Sequence, residues 1–291
     1  MRIAVTGSSG QIGTRLLARL AESHDVQGFD LRPGPHTTVL DVASPEAVAA
    51  LKGFDVVYHL AAAISVPESV ENPPLYVRAN ILGTVNVFEA ARRGNGRVVF
   101  ISTAAVYGEP RTSPIPETHP TNPTSPYGLT KAAGEEFARL FHRLYGLNVS
   151  IVRPFNIYSE DLKPDNPYAG VIAVFLRNAR NGQPLEVHGD GGQTRDFVHV
   201  SDVVQFLELL ATRTGNADAY NCGTGAVTSI LDLAELVRSR FGSDMPIVHG
   251  PPRAGDIRHG IADISKARSI GYQPRVSLSD WIRTTPLTEL T

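Results

Sequence analysis

A chain of 291 residues has room for one large α/β domain with a smaller lobe and the core to support both. With 42% hydrophobic residues, 19% charged ones and a net charge of -2, it carries no electrostatic footprint for nucleic acid. A single cysteine, Cys222, excludes an internal disulfide or a cysteine metal cluster, and the histidines lack ligand spacing, so no metal is expected and a reducing, cytoplasmic setting fits.

The first strand, RIAVT (2–6), opens the chain, and Arg15 and Arg19 interrupt the next apolar stretch, unlike a signal peptide. Nowhere do ~18 or more apolar residues run uninterrupted, so no membrane span is expected. Directly after this strand, VTGSSGQIGTRLLARL places Gly7, Gly10 and Gly13 at the entry to an amphipathic helix. Glycines there permit a tight turn and close approach of a pyrophosphate to the helix N-terminus. The pattern alone is weak, but Asp30 ends the second strand, VQGFD (26–30), where a carboxylate can hold an adenosine ribose. Asp30 also repels a 2′-phosphate and so favours NAD over NADP, whereas Arg32 nearby could accommodate one.

Strands TTVL (37–40), DVVYHL (55–60), RVVFIS (97–102) and VSIVR (149–153) follow, alternating with helical stretches. Their continuous apolar character predicts a Rossmann-type doubly wound parallel sheet, buried on both faces. After Arg153 the pattern changes: Pro154, Pro164, Pro167 and Gly170 predict a long loop, then a smaller mixed α/β lobe. The expected boundary divides 1–154 from 155–291, with segments near 186–212 returning to the first part. Within HVSDVV, Ser201 or Asp202 is the expected helix cap.

Between the fifth and sixth strands, SPYGLTKAAGEEFARLF predicts a helix starting after Pro126, with Tyr127 and Lys131 one turn apart on one face. Taken alone, such a pair is better explained by polar tips reaching water at the edge of an apolar face.

Glycine spacing, the Tyr-x-x-x-Lys pair and ISTAAVYG together resemble the extended short-chain dehydrogenase/reductases, and within them the NAD-dependent epimerase/dehydratase family. DVVYHLAA, NILGTVNVFEAAR, RPFNIY, GDGGQTRDFVHVSDV, YNCGTG and PPRAGD occur in that family's order along nearly the whole chain. The resemblance implies an isomerase that inverts C4 of a nucleoside diphosphate sugar, of the UDP-glucose/UDP-galactose type, through a transient 4-keto sugar and bound NAD. It implies a cofactor site of Gly7, Gly10, Gln11, Ile12, Gly13, Asp30, Leu31, Arg32, Asp41 and Val42 beside the adenine, Leu60, Ala61, Ala62, Asn80, Tyr127, Lys131 and Phe155. It implies a catalytic set of Thr103, Tyr127 and Lys131, with Thr103, Asn156, Arg195, Arg253 and Asp256 on the substrate, the arginines facing its diphosphate. Plainer readings stay open: Asp41 as a strand end, Asn80 as a polar spot on a helix over 74–93, Leu60 to Ala62 as core, and the substrate set as surface ion pairs. A homodimer through the helices at 74–93 and 126–145 is usual in the family.

The resemblance also supplies a use for the Tyr–Lys pair. A free phenol ionises near pH ~10, too high for a base. An ammonium about 5 Å away, at an effective dielectric of about 20, favours the phenolate by ~3 kcal/mol and brings the expected pKa of Tyr127 to about 7.5. Related 4,6-dehydratases place Asp-Glu just after the threonine, where this chain has Ala104 and Ala105. A 4-ketoreductase using the same three residues, or a non-catalytic dinucleotide sensor, is the competing reading. Gly260 matches a position lining the space around the sugar's C2 substituent, or alternatively serves a turn of positive φ.

Overall fold

A computed structural model describes residues 1–160, 170–242, 244–253 and 256–286. The apolar runs become β1 (Arg2–Thr6), β2 (Asp25–Asp30), β3 (Thr37–Val39), β4 (Val56–His59), β5 (Arg97–Ile101) and β6 (Val149–Pro154). Beyond them come β7 (Asn156–Tyr158), β8 (Leu185–His188), β9 (Thr194–Arg195), β10 (Phe197–His199), β11 (Asn216–Cys222), β12 (Thr228–Ser229), β13 (Ile247–Gly250) and β14 (His259–Gly260). One seven-stranded sheet runs β11-β6-β5-β4-β1-β2-β3, parallel throughout. Strand order reverses between β1 and β4, so the ligand crevice of a doubly wound sheet falls beyond the carboxyl ends of those two strands.

Every residue of β4 and β6 is buried, which is why these strands lack in-out alternation. On one face Ile3, Val5, Tyr58, Val99 and Val152 pack against the helices Gln11–Ala21 and Val200–Ala211. On the other, Ala4, Val57, Val98 and Phe100 meet Val87 and Phe88 of the helix Gly83–Gly94 and Ala138 and Phe141 of the helix Pro126–Tyr145. Each buried Val, Leu, Ile or Phe contributes about 1.5–3 kcal/mol, so the sheet is a rigid platform for the loops at its edge.

The C-terminal lobe holds short mixed sheets: β8 with β13, β7 with β10, and β9 between β12 and β14. Its core gathers Tyr158, Phe175, Leu176, Leu233, Trp281 and Ile282. The chain returns to the large sheet through the helix Val200–Ala211 and through β11, while β8 stays with the C-terminal lobe.

Three local expectations are corrected. The helix expected over 74–93 is broken into a short turn Pro73–Tyr76, a π-turn Val77–Leu82 and the helix Gly83–Gly94. In the widened turn Asn80 accepts from Ala63 N (2.8 Å) and donates to Ala63 O (2.9 Å) and Thr130 Oγ1 (3.0 Å), tertiary bonds that hold the distortion. The cap of the helix Val200–Ala211 is His199, not Ser201 or Asp202. Asp202 is buried and instead accepts from Arg275 N (2.9 Å) and Val276 N (3.1 Å), fastening the chain's last segment. The loop expected at 154–170 contains β7, and its residues 161–169 lie outside the described ones. Among the described residues no helix is long and apolar enough to cross a membrane.

Candidate active site

At the end of β1 the chain turns through Gly7 at φ +74°, where a Cβ would come within 2.7 Å of Ala61 N. A Cβ on Gly13 would stand 2.2 Å from Gly7 O, so the helix Gln11–Ala21 can seat against the turn only with glycine there. Gly10 begins this helix without a side-chain cap, leaving the first-turn N–H groups to an external anion. Asp30 accepts from Ser9 N (3.0 Å) and Arg32 N (2.9 Å), which fixes its carboxylate beside the turn. The Arg32 guanidinium donates to Ser9 O (3.2 Å) and lies 3.7 Å from Asp30. Asp41 accepts from Ala43 N (2.8 Å) and from Arg78 (2.5 Å).

These groups border a cavity of about 880 Å³ at the switch point. Gly7, Gly10 to Gly13, Asp30 to Arg32, Asp41 and Val42 line it. So do Leu60 to Ala62, Thr103, Tyr127, Lys131, Phe155 and Asn156. A dinucleotide fits such a site: the glycine cradle would be filled by any Cβ, the helix start is uncapped, and a carboxylate stands at the ribose position. Asn80 does not line the cavity; it is buried behind the wall and reaches it through Ala63. Sequence reasoning missed Ala63, Ile64, Leu75, Arg78 and Val171 among the lining residues. Arg78 sits in the π-turn, whose distortion has no periodic signal.

Ser125 caps the helix Pro126–Tyr145, accepting from Gly128 N (3.1 Å), with Pro126 at its first position. The helix presses on β5 at Gly134, where a Cβ would meet the Phe100 ring at 2.7 Å. That seating buries Lys131, whose ammonium lies 4.8 Å from the centre of the Phe100 ring. Thr103 follows β5, caps the next turn through Ala105 N (3.1 Å), and hydrogen-bonds Tyr127. The Tyr76 ring meets Tyr127 edge-on at 6.5 Å.

The expected phenolate near neutrality is corrected for the protein alone. Burial pushes the Tyr127 phenol up, with the Thr103 bond pulling the other way. Burial likewise takes Lys131 down to about 7, opposed by the charge of Glu135. Lys131 is buried and Tyr127 half-buried, so each disfavours its charged form, and a bare Coulomb estimate omits that penalty. His59 is structural, bonded to Thr6 (2.8 Å) and Thr84 (2.9 Å), and burial brings its pKa down to about 3.

Of the substrate set, Asn156 lines the cavity and donates to Asp196 O (3.1 Å). Arg195 and Asp256 do not line it; they form an ion pair with each other at the edge of the C-terminal lobe. Arg253 is exposed and also lies outside the lining. Gly260 is in β14 without positive φ, so the turn explanation is withdrawn. A Cβ there would stand 3.0 Å from Ile257 and 3.8 Å from Arg195.

A doubly wound sheet with a glycine turn, a carboxylate at the end of its second strand and a Tyr–Lys pair at its switch point defines a dinucleotide-dependent enzyme of the short-chain dehydrogenase/reductase type. The chain belongs to the NAD dependent epimerase/dehydratase family, whose model matches residues 3–223. Its cofactor is NAD. It is 37% identical over 306 residues to the UDP-glucose 4-epimerase of Mycolicibacterium smegmatis, covering 98% of this chain and 97% of that protein. The fold superposes on the UDP-glucose 4-epimerase of Thermotoga maritima, solved with UDP-glucose, at TM-score 0.92 and 33% identity over 99% of this chain and 98% of that one. It matches equally the UDP-N-acetylglucosamine 4-epimerase of Methanobrevibacter ruminantium M1, solved with UDP-N-acetylmuramic acid: TM-score 0.92, 32% identity, 99% and 97% coverage.

Proposed function

We propose that this protein inverts C4 of a nucleoside diphosphate sugar of the UDP-glucose/UDP-galactose type, through a 4-keto sugar held in the site. The observation that carries the reading is that Thr103, Tyr127 and Lys131 line the same cavity as the glycine turn and Asp30. NAD, when bound, supplies the acceptor for the sugar's C4 hydride and returns it. Tyr127 takes the proton from the 4-hydroxyl and gives it back, Thr103 bridges the phenol and the sugar oxygen, and Lys131 opposes the developing phenolate charge. Gly7, Gly10 to Gly13, Asp30 and Asp41 hold the cofactor; Arg195, Arg253, Asp256 and Asn156 hold the substrate once the Arg195–Asp256 pair opens to the diphosphate.

The family's dehydratases are disfavoured because Ala104 and Ala105 carry no acid or base in the turn after Thr103. The boundary near 154 then separates cofactor and substrate lobes. Exposed Val77 and Leu82 of the π-turn and Leu129 and Leu144 of the helix Pro126–Tyr145 are the surface for a homodimer. Incubation without added cofactor, with UDP-glucose, UDP-N-acetylglucosamine, UDP-glucuronate and dTDP-glucose, followed by separation of C4 epimers, tests the reading. A dehydrated product, or conversion only with stoichiometric NADH, would replace it with a dehydratase or ketoreductase.

A further inference from the structure

One turn beyond Lys131 on the same helix, Glu135 is fully buried and accepts four hydrogen bonds. Arg153 of β6 donates to both its oxygens (2.8 and 2.6 Å), Arg139 donates at 2.9 Å, and Ser102, which immediately precedes Thr103, donates at 2.6 Å. The buried Arg153 continues to Tyr107 Oη (2.9 Å) and Glu117 O (3.2 Å), and Tyr107 donates to Asn221 of β11 (2.6 Å). A carboxylate is costly to bury, and an apolar pair of similar volume would hold helix to strand without that cost. What an apolar pair lacks is a negative charge facing Lys131 and a bond to the residue beside Thr103.

We propose that Glu135 is a positioning residue of the reaction: it locks the turn bearing Lys131 to the strand end bearing Thr103 and sets a negative charge one turn from Lys131. This inference rests on the role given to Tyr127 and Lys131 under the proposed function. Burial favours a neutral Glu135, but the bonds from Arg153, Ser102 and Arg139 outweigh it and hold the carboxyl below its usual range. Glu135 is also the group that opposes the burial-driven fall of Lys131. The charged and titratable groups around this pair are Arg139, Arg153, Tyr107, Glu117, Tyr127 and His59. The carboxylate among them, Glu117, is engaged with Asn221 N (2.8 Å), and Glu135 is the carboxylate one turn from Lys131 on its helix.

The test uses the NAD-loaded double variant Glu135→Gln/Arg153→Met, which removes the charge opposite Lys131 without stranding a buried guanidinium. It should fold, retain NAD and keep KM for UDP-glucose within about twofold while kcat falls about tenfold or more. Losing a nearby negative charge lowers the pKa of Lys131, so the alkaline limb of kcat should move to lower pH by about one unit. Without sugar, the Tyr127 phenolate, read as near-ultraviolet absorbance missing from matched Tyr127→Phe protein, should form at higher pH than in the unmodified enzyme. Wild-type kcat and alkaline limb in the folded double variant, or an unmoved phenolate midpoint, would show Glu135 to be merely structural. Should the double variant not fold, the isosteric Glu135→Gln is held to the same readings. If the unmodified enzyme inverts no sugar, the proposed function fails while the phenolate titration still decides this inference.

Discussion

Tyr127 and Lys131 show how a residue can be identified by spacing and still have its chemistry set by its surroundings. Four positions on one helix brought them together in the sequence; Phe100 and Tyr76, which pack against them, are distant along the chain and left no local signal. The buried Lys131 has a folded-state pKa of about 7 against an ordinary 10.5. Below both values it is protonated folded and unfolded, and the folded state bears the full penalty. As pH rises from about 7 toward 10.5 the unfolded chain binds more protons than the folded one, so this contribution to stability increases with pH. Cofactor-free Lys131→Met should therefore be the more stable protein at pH ~6, with its advantage shrinking as pH approaches ~10, in urea denaturation at a series of pH values. A constant difference would show Lys131 to be hydrated. Tyr127→Phe should lose at least ~10³ in kcat with NAD content unchanged, because only the hydroxyl is removed; retained turnover would reassign the base.

At the scale of elements, the strand–turn–helix around Gly7 to Gly13 was legible because its glycines answer local geometry: Gly7 needs positive φ and Gly13 has no space for a Cβ. Gly13→Ala should force the helix away from the turn and leave the purified protein with at least tenfold weaker NAD binding, about 1.4 kcal/mol, measurable by titration with the dinucleotide. Unchanged affinity would mean the cradle is not the pyrophosphate site. The π-turn was not legible, since the bonds that hold it run from Asn80 to Ala63 and to Thr130, fifty residues away. Nor was the return of β11: NADAYNC is short and polar, and reads as a strand only once β6 is beside it.

For the whole molecule, the helix after the glycine turn meets the segment that follows β7. Gln11 donates to Ser159 (2.8 Å), while Glu160 receives Arg15 (3.0 Å), Trp281 Nε1 (2.9 Å) and His199 (3.0 Å). Glu160→Ala removes a carboxylate serving both lobes and should lower Tm by about 3–8 °C; an unchanged Tm in calorimetry would mean that the lobes are held by their apolar contacts alone. The change of pattern after Arg153 is local in the sequence, but the pairing of Arg195 with Asp256 depends on β9 and β14 lying side by side, which no short-range pattern encodes. The central claim, that one hydride leaves C4 and returns to it, is tested most directly with UDP-glucose deuterated at C4, incubated without added cofactor. The account predicts a C4-inverted product that keeps its deuterium at C4; inversion with loss of the label to solvent, or a labelled product that is dehydrated rather than inverted, would contradict it.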